Sequence, residues 1–295
     1  MRLNANGLSI ELEDRGPVDA PALLLIMGLG MQLTAWPVEL VDMLVDRGFR
    51  VVRFDNRDAG LSEGFDAKGV PSVPLAAVRR LMYLPVRAPY SIADMAADAL
   101  GVLDALGIAR AHVCGVSLGG MVAQHVAARA PERVASLTLM MTTTGRRTLP
   151  RPTARAQLAL ISRPTSHARA AVISHVMRVL TAIGSPAYRP DPDMFRTRVT
   201  ASVDRAYRPA GTARQLLAVA ADPDRTPLLA RIVAPTHVIH GLDDPLVPIG
   251  NGQDLQARIA GATADFIPGM GHDLPQQLLE RYADGMREVA SRAIP

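Results

Sequence analysis

The chain has 295 residues, of which 48% are hydrophobic, a formal net charge of +4 and a single cysteine, Cys114. That length admits one large α/β domain with a sizeable core, and one cysteine excludes a fold held by intramolecular disulfides. The positive charge is almost all arginine, Lys68 being the only lysine, and no Lys/Arg run with interleaved aromatics marks a nucleic-acid surface.

Residues 1–20 are polar and broken by Gly and Pro, with no apolar leader segment. Leu8 to Glu13 alternates apolar and polar residues, as an edge strand with one wet face does. Ala22 to Met27 is continuously apolar, the pattern of a strand buried on both faces, and far too short to span a membrane. The expected location is therefore the cytoplasm, with no membrane partner. Gly28-Leu29-Gly30 ends that strand. Pro37 to Arg47 carries apolar residues at helical spacing and stops at Gly48, and Arg50 to Phe54 reads as a third strand. Residues 61–90, with Pro71, Pro74, Pro85 and Pro89, read as a small insertion. Ser91 caps a helix running to Gly107. Ala111 to Cys114 reads as a strand, Met121 to Arg129 as a helix, and Val134 to Met140 as another strand. Residues 142–229 break this rhythm with helix-like segments, many prolines and few strand signals. Thr236 to His240 and Ala264 to Ile267 read as the last two strands, and Leu274 to Ala290 as the final helix. Alternating strand and helix predicts a mostly parallel sheet with helices on both faces. The expected division is an α/β core from 1–141 and 230–295, with a helical lid inserted at 142–229. The pairs Arg79-Arg80 and Arg146-Arg147 read as solvated surface.

Gly115-Val116-Ser117-Leu118-Gly119 reads G-x-S-x-G between a strand and a helix. In that context the serine projects its hydroxyl from a tight, strained turn at a helix N-terminus, where partial positive charge favours a developing oxyanion. A serine hydroxyl needs a base and an orienter to act as a nucleophile. The loop Pro268-Gly269-Met270-Gly271-His272-Asp273, between the last strand and the last helix, offers His272 as the base. His112, His237 and His240 lie in or at the end of strands, His125 lies in a helix, and His167 and His175 fall in the lid. The acid is expected on the loop after the strand ending at His240, where Gly241-Leu242-Asp243-Asp244-Pro245 holds two aspartates. The spacing selects Asp244 and leaves Asp243 as a surface or turn-capping residue. Met141-Thr142-Thr143-Thr144, an alternative place for the acid, has no carboxylate. The two oxyanion donors are expected to be the backbone N–H groups of Leu118 and Leu29. Met31, Met121, Met140, Met141 and Met270 neighbour these loops, as an apolar acyl pocket or as core filler.

Over nearly its whole length the chain resembles the α/β-hydrolase superfamily, through the Gly28 turn, Asp55-Asn56-Arg57-Asp58-Ala59-Gly60-Leu61-Ser62, the Ser117 turn, the Asp244 turn and the His272 loop. The Leu25-Ile26-Met27-Gly28 turn, the Asp55-to-Ser62 segment and Ile267-Pro268-Gly269-Met270-Gly271-His272 resemble a bacterial branch that includes aclacinomycin methylesterase. Many relatives carry His-Gly at the oxyanion turn, where this chain has Met27-Gly28. The resemblance implies the α/β-hydrolase fold and a serine hydrolase that needs no cofactor or metal. A serine at the elbow, where haloalkane dehalogenases and epoxide hydrolases carry aspartate, implies acyl transfer. The expected reaction is hydrolysis of a small-molecule ester, with lactone or carbon–carbon bond hydrolysis and perhydrolysis open to the same triad. A ligand-binding protein on this scaffold would carry the same parts. The expected assembly is a monomer or homodimer.

Overall fold

The computed structural model describes residues 1–70 and 72–293. Pro71, named above among the prolines of residues 61–90, and the last two residues of the 230–295 segment lie outside the described residues.

Eight strands form one sheet: β1 (Arg2–Ala5), β2 (Leu8–Arg15), β3 (Ala22–Ile26), β4 (Arg50–Phe54), β5 (Ala111–Val116), β6 (Val134–Met140), β7 (Thr236–Gly241) and β8 (Thr263–Ile267). Their spatial order is β1-β2-β4-β3-β5-β6-β7-β8. β4, β3, β5, β6, β7 and β8 run parallel to one another, while β1 and β2 pair antiparallel. The sheet edge is thus β1, and the alternating Leu8–Glu13 run is second in the sheet rather than at its edge. Asn6 and Gly7, both at positive φ, make the tight turn between β1 and β2. Four residues are too few for β1 to show a readable alternation.

The helices are α1 (Val38–Asp46), α2 (Val73–Leu81), α3 (Ile92–Ala105), α4 (Leu118–Arg129), α5 (Ala154–Ile161), α6 (Arg169–Ile183), α7 (Pro192–Arg205), α8 (Pro209–Ala221), α9 (Thr226–Leu229), α10 (Gly250–Arg258) and α11 (Leu279–Ser291). Alternate residues of the central strands feed two cores. Leu24, Ile26, Val52, Phe54, Val113 and Leu137 pack with α3 and α4. Leu23, Leu25, Val51, Cys114 and Ile239 pack with α1 and α11 on the other face. Each such side chain stabilises by about 1.5–3 kcal/mol when fully buried, so the two-sided core holds the strand ends in place. Ser91 and Asp94 start α3 with a reciprocal capping box. α5 to α9 all lie between β6 and β7, with no strand among their described residues. α8 is bolted to the loop after β4 by an ion pair: Arg214 donates to both carboxylate oxygens of Asp58 at 2.7 and 2.8 Å, and both side chains are fully buried. The Tyr90 hydroxyl donates to the same carboxylate at 2.8 Å.

Candidate active site

Ser117 sits between β5 and α4 at φ +55° and ψ −118°. A non-glycine residue there is strained, and the surroundings must enforce it. Two glycines remove what would prevent it. A Cβ on Gly115 would collide with the Gly119 carbonyl, and one on Gly119 would collide with the Ile26 carbonyl. Three hydrogen bonds then fix the turn. Ser117 N–H donates to Met140 O at 2.9 Å, Gly120 N–H donates to Ser117 O at 2.9 Å, and the Thr142 hydroxyl donates to Ser117 O at 2.7 Å. Thr142 stands in the segment that lacks a carboxylate, and there it supports the elbow.

His272 Nε2 lies 3.0 Å from Ser117 Oγ, and His272 Nδ1 lies 2.7 Å from Asp244 Oδ2. A carboxylate only accepts, so Nδ1 carries the proton and Nε2 is free to accept from the serine hydroxyl. Asp244 Oδ1 accepts from Leu246 N–H and Val247 N–H, both at 2.8 Å, which fixes the carboxylate. Asp243 points elsewhere and accepts from Gly269 N–H at 2.8 Å. Behind Asp244 lies the fully buried His240, whose Nε2 donates to Val247 O at 2.6 Å and lies 3.7 Å from Asp244 Oδ2. Burial pushes the His240 pKa down, so this imidazole is neutral and braces the turn that carries the acid.

Two glycines predict a flexible histidine loop, but the loop is tied down. It is stitched to the chain after α6: His272 N–H donates to Ile183 O at 2.8 Å, Ala187 N–H to Gly269 O at 3.1 Å, and Gly271 N–H to Ser185 Oγ at 2.8 Å. Ser185 N–H donates to Asp273 Oδ1 at 3.0 Å, and the Ser185 hydroxyl donates to the same oxygen. Burial raises the Asp273 pKa, against the lowering effect of these Ser185 bonds. Ser185 gave no sequence signal, because a serine in a helical insertion has no local pattern, and Asp273 was read only as part of the His272 loop.

The Gly28-Leu29-Gly30 turn approaches the serine closely. A Cβ on Gly28 would lie 3.3 Å from Ser117 Cβ. Met31 N–H donates to Gly28 O at 3.2 Å and closes the turn, and no acceptor meets Leu29 N–H among the described residues. Leu118 is the first residue of α4, so its N–H has no partner within the helix. Both N–H groups are therefore available beside Ser117. Asn56 Nδ2 donates to Met27 O at 2.9 Å, and Asp55 Oδ1 accepts from Leu33 N–H at 2.6 Å, so the Asp55-to-Ser62 segment grips both ends of the turn. The remaining support comes from α8. Gln215 Oε1 accepts from Gly30 N–H at 2.7 Å, and Gln215 Nε2 donates to Arg57 O at 2.7 Å.

Four of the five methionines share one core and Met121 belongs to the other. Met121 belongs to the core under α3 and α4, whereas Met140, Met141 and Met270 belong to the core under α1 and α11, with Met31 half-buried against it. Met270 is fully enclosed, and the Tyr282 hydroxyl lies 3.3 Å from its sulfur. Three of the other histidines have structural partners. His112 Nδ1 lies 2.8 Å from Ser136 Oγ, His237 Nδ1 lies 2.8 Å from Thr263 Oγ1, and His125 Nε2 lies 3.3 Å from Asp222. Cys114 is buried, which pushes its thiol pKa up. Among the described residues no three His, Cys, Asp or Glu side chains are grouped to hold a metal. No helix among them is long and apolar enough to cross a membrane.

A strand–elbow–helix serine, a late histidine and an acid after the penultimate parallel strand define an α/β-hydrolase. Residues 21–275 match the family described as the alpha/beta hydrolase fold, and the chain belongs to that family. It is 32% identical to rhodomycin D methylesterase DauP from Streptomyces sp. strain C5, across 90% of this chain and 89% of that protein. It is 30% identical to a 2-hydroxy-6-oxononadienedioate/2-hydroxy-6-oxononatrienedioate hydrolase from Burkholderia vietnamiensis, across 88% of this chain and 84% of that protein. The solved enol-lactonase from Burkholderia xenovorans LB400 shares the fold with a TM-score of 0.73 at 23% identity, covering 99% of this chain and 100% of that one.

Proposed function

We propose that this hydrolase cleaves carboxylic esters through an acyl-enzyme on Ser117. The observation that carries the reading is the unbroken chain from Ser117 Oγ through His272 to Asp244, at 3.0 and 2.7 Å, on a strained elbow. His272 Nε2 takes the hydroxyl proton as Ser117 Oγ attacks the ester carbonyl. The Leu29 and Leu118 N–H groups receive the oxyanion that forms. His272 then returns the proton to the departing alcohol, and the acyl group remains on Ser117. A water, deprotonated by the same imidazole, releases the acid and restores the hydroxyl. Asp244 holds the ring and stabilises its charged form. No group outside the chain, the ester and water enters this sequence. The helical segment 142–229 acts as the lid, and the cytoplasm is the expected compartment.

Similarity to a methylesterase supports an ester with a small alcohol portion. Similarity to a 2-hydroxy-6-oxononadienedioate hydrolase favours one second reading, carbon–carbon bond hydrolysis on the same residues. The test is release of p-nitrophenol from short- and medium-chain esters, and of methanol from methyl esters, by the wild type and Ser117→Ala. Loss of turnover in a folded Ser117→Ala supports the proposal, and undiminished turnover overturns it. A folded wild type that cleaves a vinylogous 1,5-diketone but no ester selects the second reading.

A further inference from the structure

Among the described residues seventeen large hydrophobic side chains are exposed, and seven of them fall in the fifteen positions from Val70 to Leu84. α2 is built inside out. Its small Ala76 is buried and the helix packs against α8, while Leu75, Val78, Leu81 and Met82 are 57, 52, 68 and 63% exposed. Their spacing makes an apolar stripe on the outer face, the reverse of a helix that only covers a core. Contiguous apolar surface of this kind marks an interaction site.

Tyr83 and Leu84 continue the stripe into a cleft of about 650 Å³ that Arg80, Arg146 and Arg147 also line. The acids around this cleft are already taken. Asp222 pairs with Arg225 and His125, Asp224 accepts from Thr226, and Arg146 pairs with Asp254. Arg80 donates to the Ala220 carbonyl at 2.7 Å, and Arg147 stacks on the Tyr83 ring at 4.4 Å. Neither has a carboxylate at ion-pair distance among the described residues. Burial and the charges of Arg147 and Arg151 push the Arg80 pKa down, while Asp222 opposes them, as expected of cations gathered without a matching anion.

We propose that α2 and this cleft form a docking surface for a membrane containing anionic phospholipid. Leu75, Val78, Leu81 and Met82 enter the boundary between headgroups and acyl chains, Tyr83 sits at headgroup level, and Arg80 and Arg147 receive lipid phosphate. A second copy of the chain fits poorly, because a two-fold contact through this face sets the arginines of one copy against those of the other. The expectation of no membrane partner came from the want of a spanning run, which does not bear on surface docking. The proposal does not depend on the esterase reading.

The test is co-sedimentation of the full chain with vesicles of phosphatidylcholine alone and of phosphatidylcholine with phosphatidylglycerol. Binding to the mixed vesicles only, weakened by salt, is the expected result. Arg147→Glu should weaken it by at least about fivefold, and Leu81→Glu with Met82→Glu should abolish it. Tyr83→Trp gives a readout that leaves these side chains in place: its emission should shift to the blue on mixed vesicles, while the buried Trp36 contributes no shift. Equal binding to neutral vesicles, no binding, or a dimer in solution that Leu81→Glu dissociates without any vesicle binding would each overturn it.

Discussion

Replacing Gln215 by leucine tests whether α8 sets the Gly28-Leu29-Gly30 turn, with Gly30 185 residues away along the chain. Gln215 is fully buried and uses both ends of its amide, accepting from Gly30 N–H and donating to Arg57 O, each at 2.7 Å. Leucine keeps most of the volume and removes both bonds. A buried carbonyl and a part-buried N–H are then left unpaired, at about 1–3 kcal/mol for the carbonyl and up to about 2–6 kcal/mol together. The chain has two ways to relieve that strain. If the turn holds its shape, the whole penalty appears as lost stability. If the turn relaxes, Gly30 rotates and carries Leu29 N–H away from the oxyanion position, where one lost donor is worth ~3 kcal/mol and roughly a 100-fold drop in kcat. Leu29 and Gly30 are adjacent, so the two effects are coupled: a Gln215→Leu protein that melts normally must be slow, and one that turns over normally must melt early. Ester hydrolysis and thermal unfolding, measured on the same preparation, check this. Gln215→Glu keeps the acceptor for Gly30 N–H but sets a carboxylate oxygen against Arg57 O, so it should retain more kcat than the leucine variant while losing more stability. Gln215→Leu with kcat within twofold and an unchanged Tm would refute the reasoning.

Asp244→Asn should fold normally and lower kcat by roughly four orders of magnitude, because the amide leaves His272 in the wrong tautomer; single-turnover acylation reads this directly. Arg214→Met leaves the Asp58 carboxylate buried without its cation, a loss of about 3–5 kcal/mol. With an unfolding entropy of ~0.6 kcal/mol/K for a chain of this length, Tm should fall by about 5–8 °C in calorimetry. Stability should also fall in acid. Burial alone would raise the Asp58 pKa, but bonds from Arg214, Phe65 N–H and Tyr90 outweigh it and hold the group below 3.8. A depressed native pKa gives stability that is present above the unfolded value and lost as pH falls through the native one. Asp58→Asn should therefore be less stable at neutral pH yet show a shallower acid limb in urea midpoints.

The residues proposed to react stood out in the sequence because the constraints on them are local. The elbow needs glycine at 115 and 119 within two residues of Ser117, and only that spacing keeps Cβ atoms out of the Gly119 and Ile26 carbonyls. His272 stands on a loop bounded by a strand and a helix, both with clear periodicity. Asp244 was separable from Asp243 by spacing, and the geometry gives the reason: one side chain reaches the imidazole while the other turns back to Gly269 N–H. What holds these groups was not legible, because its constraints are non-local and its residue types are ordinary. Gln215 and Ser185 fall in residues 142–229, where no motif singles them out, and His240 read as a residue in or at the end of a strand. The methionines stayed ambiguous because the same soft side chain suits a pocket wall and a core.

This division has a physical consequence for the inserted helices. The Gly28-Leu29-Gly30 turn takes a hydrogen bond from α8, and the histidine loop shares five with residues 183–187. Segment 142–229 also reaches the Ser117 turn through the Thr142 hydroxyl and the Asp244 turn through Thr153 N–H, so it bonds to all four turns of the proposed site. A graft of the corresponding segment from another family member should preserve chemistry only if it brings an acceptor for Gly30 N–H and a hydroxyl for Asp273 and Gly271 N–H. Without them the graft leaves buried polar groups unpaired at the reacting centre, each at about 1–3 kcal/mol. Such a chimera should lose kcat with every ester tested, whereas a change confined to the pocket shifts relative kcat/KM among esters and leaves the best substrate fast.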